Sequence, residues 1–141
     1  MSIEFIGIAA TAPHSETEAA PTQAQTDPVQ PGYLGELARA HEEAGFDRVL
    51  VAHSSASPDG FTVADQVLSR TQRLGVLLAH RPGFVAPTYA ARKFATLDAF
   101  QPGRVAIHHI TGGDELDQKR DGDFADHDRR YARTAAGALS A

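Results

Sequence analysis

Short apolar runs alternate along the chain with stretches in which apolar residues return every three or four positions. The runs are Glu4–Ala10, Arg48–Ala52, Gly75–Ala79 and Arg104–His108. Each is short, and the later ones are rich in Val, Leu and Ile, as buried strands of a parallel sheet are. Helical patterns lie between them. Leu34, Leu37, Ala38 and His41 fall at i, i+3, i+4 and i+7, and Gly45 follows as a residue able to close the helix. Asp59 is placed to cap a helix carrying Phe61, Ala64 and Leu68. Pro87 suits the first turn of a third helix with Ala90, Phe94 and Leu97 on its buried face, and Pro102-Gly103 stops it. Asp126 can cap a last helix containing Tyr131.

The order is β-α-β-α-β-α-β-α. Strand starts at 4, 48, 75 and 104 are spaced by 44, 27 and 29 residues. Such spacing implies right-handed crossovers and a parallel sheet. The pattern alone does not separate a barrel from an open doubly wound sheet, although Gly7 stands alone where a dinucleotide-binding sheet would carry a glycine fingerprint. Two segments break the alternation. Residues 11–32 are rich in Ala, Thr, Gln and Pro without apolar period, and are expected to form a long flexible loop or lid after the first strand. Residues 114–125 are expected as a charged loop. Asp121, Asp123 and Asp126 do not make a calcium loop, because its glycine spacing and closing glutamate are missing.

At 141 residues the chain has the length of a single domain. No run of apolar residues is long enough to span a membrane, and Met1-Ser2-Ile3-Glu4 lacks the basic start of a signal peptide. There is no cysteine, hence neither disulfide nor thiolate chemistry. The net charge of −5 argues against a nucleic-acid partner. A soluble, cytoplasmic protein is expected.

In parallel α/β folds ligands gather at the carboxyl ends of the strands. There the sequence places His53, then His80-Arg81, then His109 followed by Thr111-Gly112-Gly113. Three histidines and an arginine thus share one rim beneath the long loop. Any one of these histidines can equally be a satisfied structural residue, and of the adjacent pair His108 and His109 one must face the helices or the sheet core. Histidines on successive strand ends can also bind a divalent metal, as in a metal-dependent barrel hydrolase. Against that, the first strand has no His-x-His pair and no acid stands at a strand end. On the last helix, His127 falls in the first turn and Tyr131 one turn later on the same face. A first-turn histidine beside free backbone N–H groups suits an anion, whereas Asp128 in that turn already answers the helix dipole.

Several segments together resemble one family. Arg104-Val-Ala-Ile-His-His-Ile-Thr-Gly-Gly113 and Asp121-Gly-Asp-Phe-Ala-Asp-His-Asp-Arg-Arg-Tyr131 are similar to the luciferase-like flavin-dependent monooxygenases, the alkanesulfonate monooxygenase-like branch above all. Thr71–Pro82 and Pro87–Asp98 resemble the same family's third strand and the helix after it. The resemblance covers about residues 33–134. It implies the N-terminal half, about four β/α units, of a TIM-type (β/α)8 barrel, since a full barrel needs eight strands and about 250 residues. It implies reduced FMN at the strand ends, supplied by a separate flavin reductase, and oxygenation of a small organic substrate by O2. The deazaflavin F420 replaces FMN in some members. By position, His127 and Tyr131 would meet the FMN phosphate region, and His53, His80, His109 and Thr111 the flavin and substrate rim. Ser57 and Arg81 are the expected substrate-side residues; Ser57 stands where sulfonate-branch relatives often carry cysteine, and His109 where many members carry asparagine. The expected partners are a reductase and further copies of the chain. A non-catalytic flavin-binding remnant is the alternative within the family.

Overall fold

A computed structural model describes residues 3–13 and 29–138. The elements run β1 (Ile6–Ile8), α1 (Pro31–Glu43), β2 (Arg48–Val51), α2 (Gly60–Ser69), β3 (Gly75–His80), α3 (Pro87–Phe100), β4 (Val105–His109), α4 (Glu115–Arg120) and α5 (His127–Ala138). The four strands lie in sequence order, each parallel to the next. Strand–helix–strand crossovers between neighbours give this open half-barrel.

The helix starts follow local chemistry. Pro31 and Pro87 occupy the first turns of α1 and α3, where a missing N–H costs nothing. Asp59 accepts the Thr62 N–H at 2.9 Å at the start of α2, and Asp126 accepts the Arg129 N–H at 2.9 Å at the start of α5.

Alternation along the strands sorts side chains onto two faces. Val49, Val51, Val76 and Leu78 are buried against Leu34 and Ala38 of α1, Val63, Val67 and Leu68 of α2, and Phe94 and Leu97 of α3. Burial of each large side chain contributes about 1.5–3 kcal/mol, so this layer is the main stabilising term. The opposite face carries Ile8, Leu50, Leu77 and Ala106 in one register layer. No described helix covers it, and Ile8 is 62% exposed.

Polar contacts fix the amino ends of the strands. The Glu42 carboxylate at the end of α1 accepts the N–H groups of Gln72, Arg73 and Leu74 at 2.9, 2.5 and 2.8 Å. Arg104, just before β4, donates to the Leu74 carbonyl at 2.7 Å and to Thr71 Oγ1 at 2.6 Å. With that end anchored, the carboxyl ends are free to carry a site.

Three details differ from the sequence expectation. β1 is confined to Ile6–Ile8, and α1 begins at Pro31, inside the stretch assigned to the loop. Residues 114–125 are not wholly a loop: α4 occupies Glu115–Arg120, capped by Asp114, which accepts the Asp117 N–H at 2.7 Å. Acidic residues in its first turn and Lys119 and Arg120 in its last suit the helix dipole. The expected lid falls largely on residues 14–28, outside the described residues; the Gln30 N–H meets the Thr11 carbonyl at 2.8 Å, which brings the ends of that excursion together. No described helix is long and apolar enough to cross a membrane.

Candidate functional site

A cleft of about 980 Å³ opens across the carboxyl ends of β2, β3 and β4. His53 and Ser54 follow β2, Arg81 follows β3, and His109 ends β4. Ile110 to Asp114 form its floor, while Leu116, Asp117 and Arg120 of α4 and Tyr131 of α5 form the wall. Gly112 has φ +82, and a Cβ there would meet Gln118 Nε2 at 2.9 Å and Arg81 Nη1 at 3.0 Å. The floor can therefore lie this low only with glycine at that position.

Arg81, Asp117 and Asp121 are paired at the rim. The Arg81 side chain is buried, its Nη2 donates to Asp121 Oδ2 at 2.6 Å, and its Nη1 lies 4.0 Å from Asp117. Its guanidinium also stacks 3.7 Å above the Phe84 ring. His53 Nε2 is 3.7 Å from Asp121, an electrostatic contact too long for a hydrogen bond. Burial and the neighbouring Arg81 hold the His53 pKa below its ordinary value, and Asp121 and Asp117 offset this only in part. His53 is accordingly neutral at pH 7. Burial would raise the Asp117 pKa, but hydrogen bonding from Ser55 and the charge of Arg81 hold it low, so Asp117 stays ionised. Several buried polar atoms around the cleft have no hydrogen-bond partner within the chain: His53 Nε2, His109 Nδ1, Arg81 Nε and both amide atoms of Gln118. Such atoms are uncommon in folded proteins.

Of the residues singled out by sequence, the cleft brings together His53, Arg81, His109, Thr111 and Tyr131. The others lie beside it. His80 pairs in register with His109, and its ring packs against Phe94 of α3 at 5.4 Å and near Phe61 of α2 at 6.4 Å. Both histidines therefore sit on the helix side of the sheet, and His108 is the exposed one on the uncovered face. Burial, followed by His109, His53 and Lys93, lowers the His80 pKa. His127 is exposed, stacks on Tyr131 with ring centroids 4.4 Å apart, and bonds Asp128 at 3.0 Å. Ser57 lines a neighbouring hollow and reaches the cleft only through Ser54, oxygen to oxygen at 2.9 Å. Asp117, Gln118, Arg120 and Asp121 are the rim residues the sequence reading missed. Their signal was the i, i+4 spacing of Asp117 and Asp121, which carries meaning only once α4 is known to be a helix. Among the described residues, no group of three or more His, Asp or Glu is placed to hold a metal ion.

Known structures share this architecture. EDTA monooxygenase from Chelativorans sp. BNC1 superposes with a TM-score of 0.71 at 18% identity, over 79% of this chain and 30% of its own. An F420-dependent secondary alcohol dehydrogenase, in complex with an F420-acetone adduct, gives 0.73 at 18% identity over 99% of this chain and 41% of its own. The oxygenating constituent of 3,6-diketocamphane monooxygenase from Pseudomonas putida, in complex with FMN, gives 0.71 at 13% identity over 97% and 38%. The chain spans less than half the length of each, and the likeness establishes the fold as that of a half-barrel. The luciferase-like monooxygenase model matches residues 5–135, from β1 through most of α5. With the cleft at the strand ends and the sheet in this order, the match over nearly all of the sequence decides the assignment: the chain belongs to the luciferase-like monooxygenase family.

Proposed function

We propose that this chain forms the flavin-binding N-terminal half of a reduced-FMN-dependent monooxygenase that uses O2 to oxygenate a small organic substrate. The carrying observation is the cleft at the ends of β2, β3 and β4, lined by His53 and His109, whose Nε2 and Nδ1 make no hydrogen bond within the chain, in a chain of this family. Its volume of about 980 Å³ is at the upper end for small-molecule sites and accommodates a flavin nucleotide. The neutral imidazole of His53 suits a heterocycle that offers both N–H and C=O groups, because it can donate or accept according to its tautomer.

When bound, reduced flavin supplies the electrons for oxygen activation, and the protein contributes binding, orientation and exclusion of water. His53 and His109 would meet the ring system and Thr111 the floor beside it. His80, packed behind His109, would fix the orientation of that imidazole. Tyr131, backed by the stacked His127, would meet the phosphate region at the open end. Ser57 would act through Ser54, and Arg81 would border the substrate side. An alkanesulfonate-like compound is the substrate class this reading favours. A flavin reductase, further copies of the chain and a cytoplasmic location complete it.

F420 is the second reading, because an F420-dependent enzyme shares this fold over 99% of the chain, as an FMN-bound one does over 97%. Titration of the chain with FMN and with F420, followed by calorimetry, separates the two. The expected result is tighter binding of FMN, weakened in His127→Ala and Tyr131→Ala. Unchanged affinity in both variants would overturn the phosphate assignment, and preference for F420 would replace the oxygenase chemistry by hydride transfer.

A further inference from the structure

Among the walls of the cleft, α4 has the least apolar support. It is six residues long, well short of the length at which an isolated helix holds in water. Gln118 is its one buried residue, and its only large apolar side chain, Leu116, is 67% exposed. Hydrophobic burial therefore does not hold it across the strand ends. Polar contacts do. The Ser55 N–H donates to Asp117 Oδ1 at 2.7 Å, and Arg81 hydrogen-bonds Asp121 at 2.6 Å and lies 4.0 Å from Asp117.

Asp117 and Asp121 are four residues apart, so one guanidinium on one side of α4 engages its first turn and its carboxyl-terminal cap. Arg81 is a firm anchor for this. Its side chain is 1% exposed, Phe84 covers its flat face at 3.7 Å, and it follows directly on β3, a strand paired on both sides. The guanidinium hydrogen-bonds Asp121 and faces Asp117 at the longer range of an electrostatic contact, a planar arrangement that a flexible ammonium reproduces less well.

We propose that Arg81 is a positioning residue: through Asp117 and Asp121 it sets α4, and with it Leu116, Asp117 and Arg120, against the cleft. The consequence for ligand affinity rests on the flavin reading above; the effect on α4 itself does not. Two measurements on Arg81→Met, Arg81→Lys and Asp121→Asn keep the parts separate. Hydrogen exchange read by mass spectrometry should show the amides of residues 115–122 exchanging about tenfold faster in Arg81→Met, with α2 and α3 unchanged, as for local opening. FMN affinity should fall about tenfold in Arg81→Met and recover only in small part in Arg81→Lys, which keeps the charge but not the planar fork. If Arg81→Met loses protection everywhere, Asp121→Asn decides, since it removes the nearer carboxylate and leaves Arg81 in place; faster exchange confined to α4 supports the proposal. Wild-type protection of α4 in the variants overturns it. Absence of FMN binding even in the wild-type chain would sink the flavin reading while the exchange data still settle the role of Arg81.

Discussion

Glu42→Gln probes the anchored end of the sheet, where one carboxylate satisfies three consecutive backbone donors. The amides of Gln72, Arg73 and Leu74 lie 2.9, 2.5 and 2.8 Å from Glu42 Oε1. They lead directly into β3, whose far end carries His80 and Arg81. A hydrogen bond to a charged acceptor contributes about 1.5–3 kcal/mol when buried, and the partial exposure of Glu42 puts these at the low end. Glutamine keeps one acceptor oxygen but no charge, so the expected loss is about 1–2 kcal/mol; alanine, which strands all three amides, should cost about 2–4 kcal/mol. Burial alone would raise the Glu42 pKa, but the three amides and the charge of Arg73 hold it below its ordinary value. A carboxyl with a lower pKa folded than unfolded stabilises the fold above the unfolded value, and that contribution disappears as pH falls through the folded one. The difference between wild type and Glu42→Gln should therefore be full above about pH 5 and shrink on acidification through the carboxylate range. Urea unfolding followed by far-ultraviolet circular dichroism, repeated from pH 7 downward, measures it. Equal midpoints at pH 7, or a gap that does not narrow in acid, would refute the reasoning.

Histidine NMR titration should place His53 and His80 below the ordinary imidazole range, because burial disfavours the charged form of both. Their depressed pKa values stabilise the fold above the ordinary histidine value and cease to do so as pH falls through the folded values; titration at or above about 6.5 would contradict this. Gly83→Ala should cost about 1–3 kcal/mol and loosen α5, since Gly83 has φ +104 and a Cβ there would meet the Arg133 side chain, itself held by Asp123. Faster hydrogen exchange in α5 is the readout, and wild-type stability with unchanged exchange would count against it.

Most of the frame was legible in the sequence because its elements follow strong local rules. Val49, Val51, Val76 and Leu78 sit in short runs, Ala90, Phe94 and Leu97 keep a helical stripe, and Asp59, Pro87 and Asp126 mark helix starts where the structure has them. What escaped depends on tertiary contact. α4 has no apolar stripe to announce it, since its support comes from Ser55 and Arg81, 62 and 40 residues before their acidic partners. The strand ends that open on the cleft follow from the strand order, but facing was read only in part. The requirement that His108 and His109 face apart was visible, whereas His80 shares the parity of Val76 and Leu78 and so turns to the helices. Ser57 was displaced from the cleft by the turn in which it bonds Ser54, a contact no spacing rule reveals.

The central claim is that the carboxyl ends of β2, β3 and β4 receive a flavin. The most direct test is an NMR titration of the isotopically labelled chain with FMN, following backbone amides. The account predicts saturable shifts confined to His53, Ser54, His109 to Gly113 and Tyr131, with Arg48, Gly75 and Arg104 at the opposite end unmoved. Shifts absent at saturating flavin, or centred on the amino ends of the strands, would contradict it.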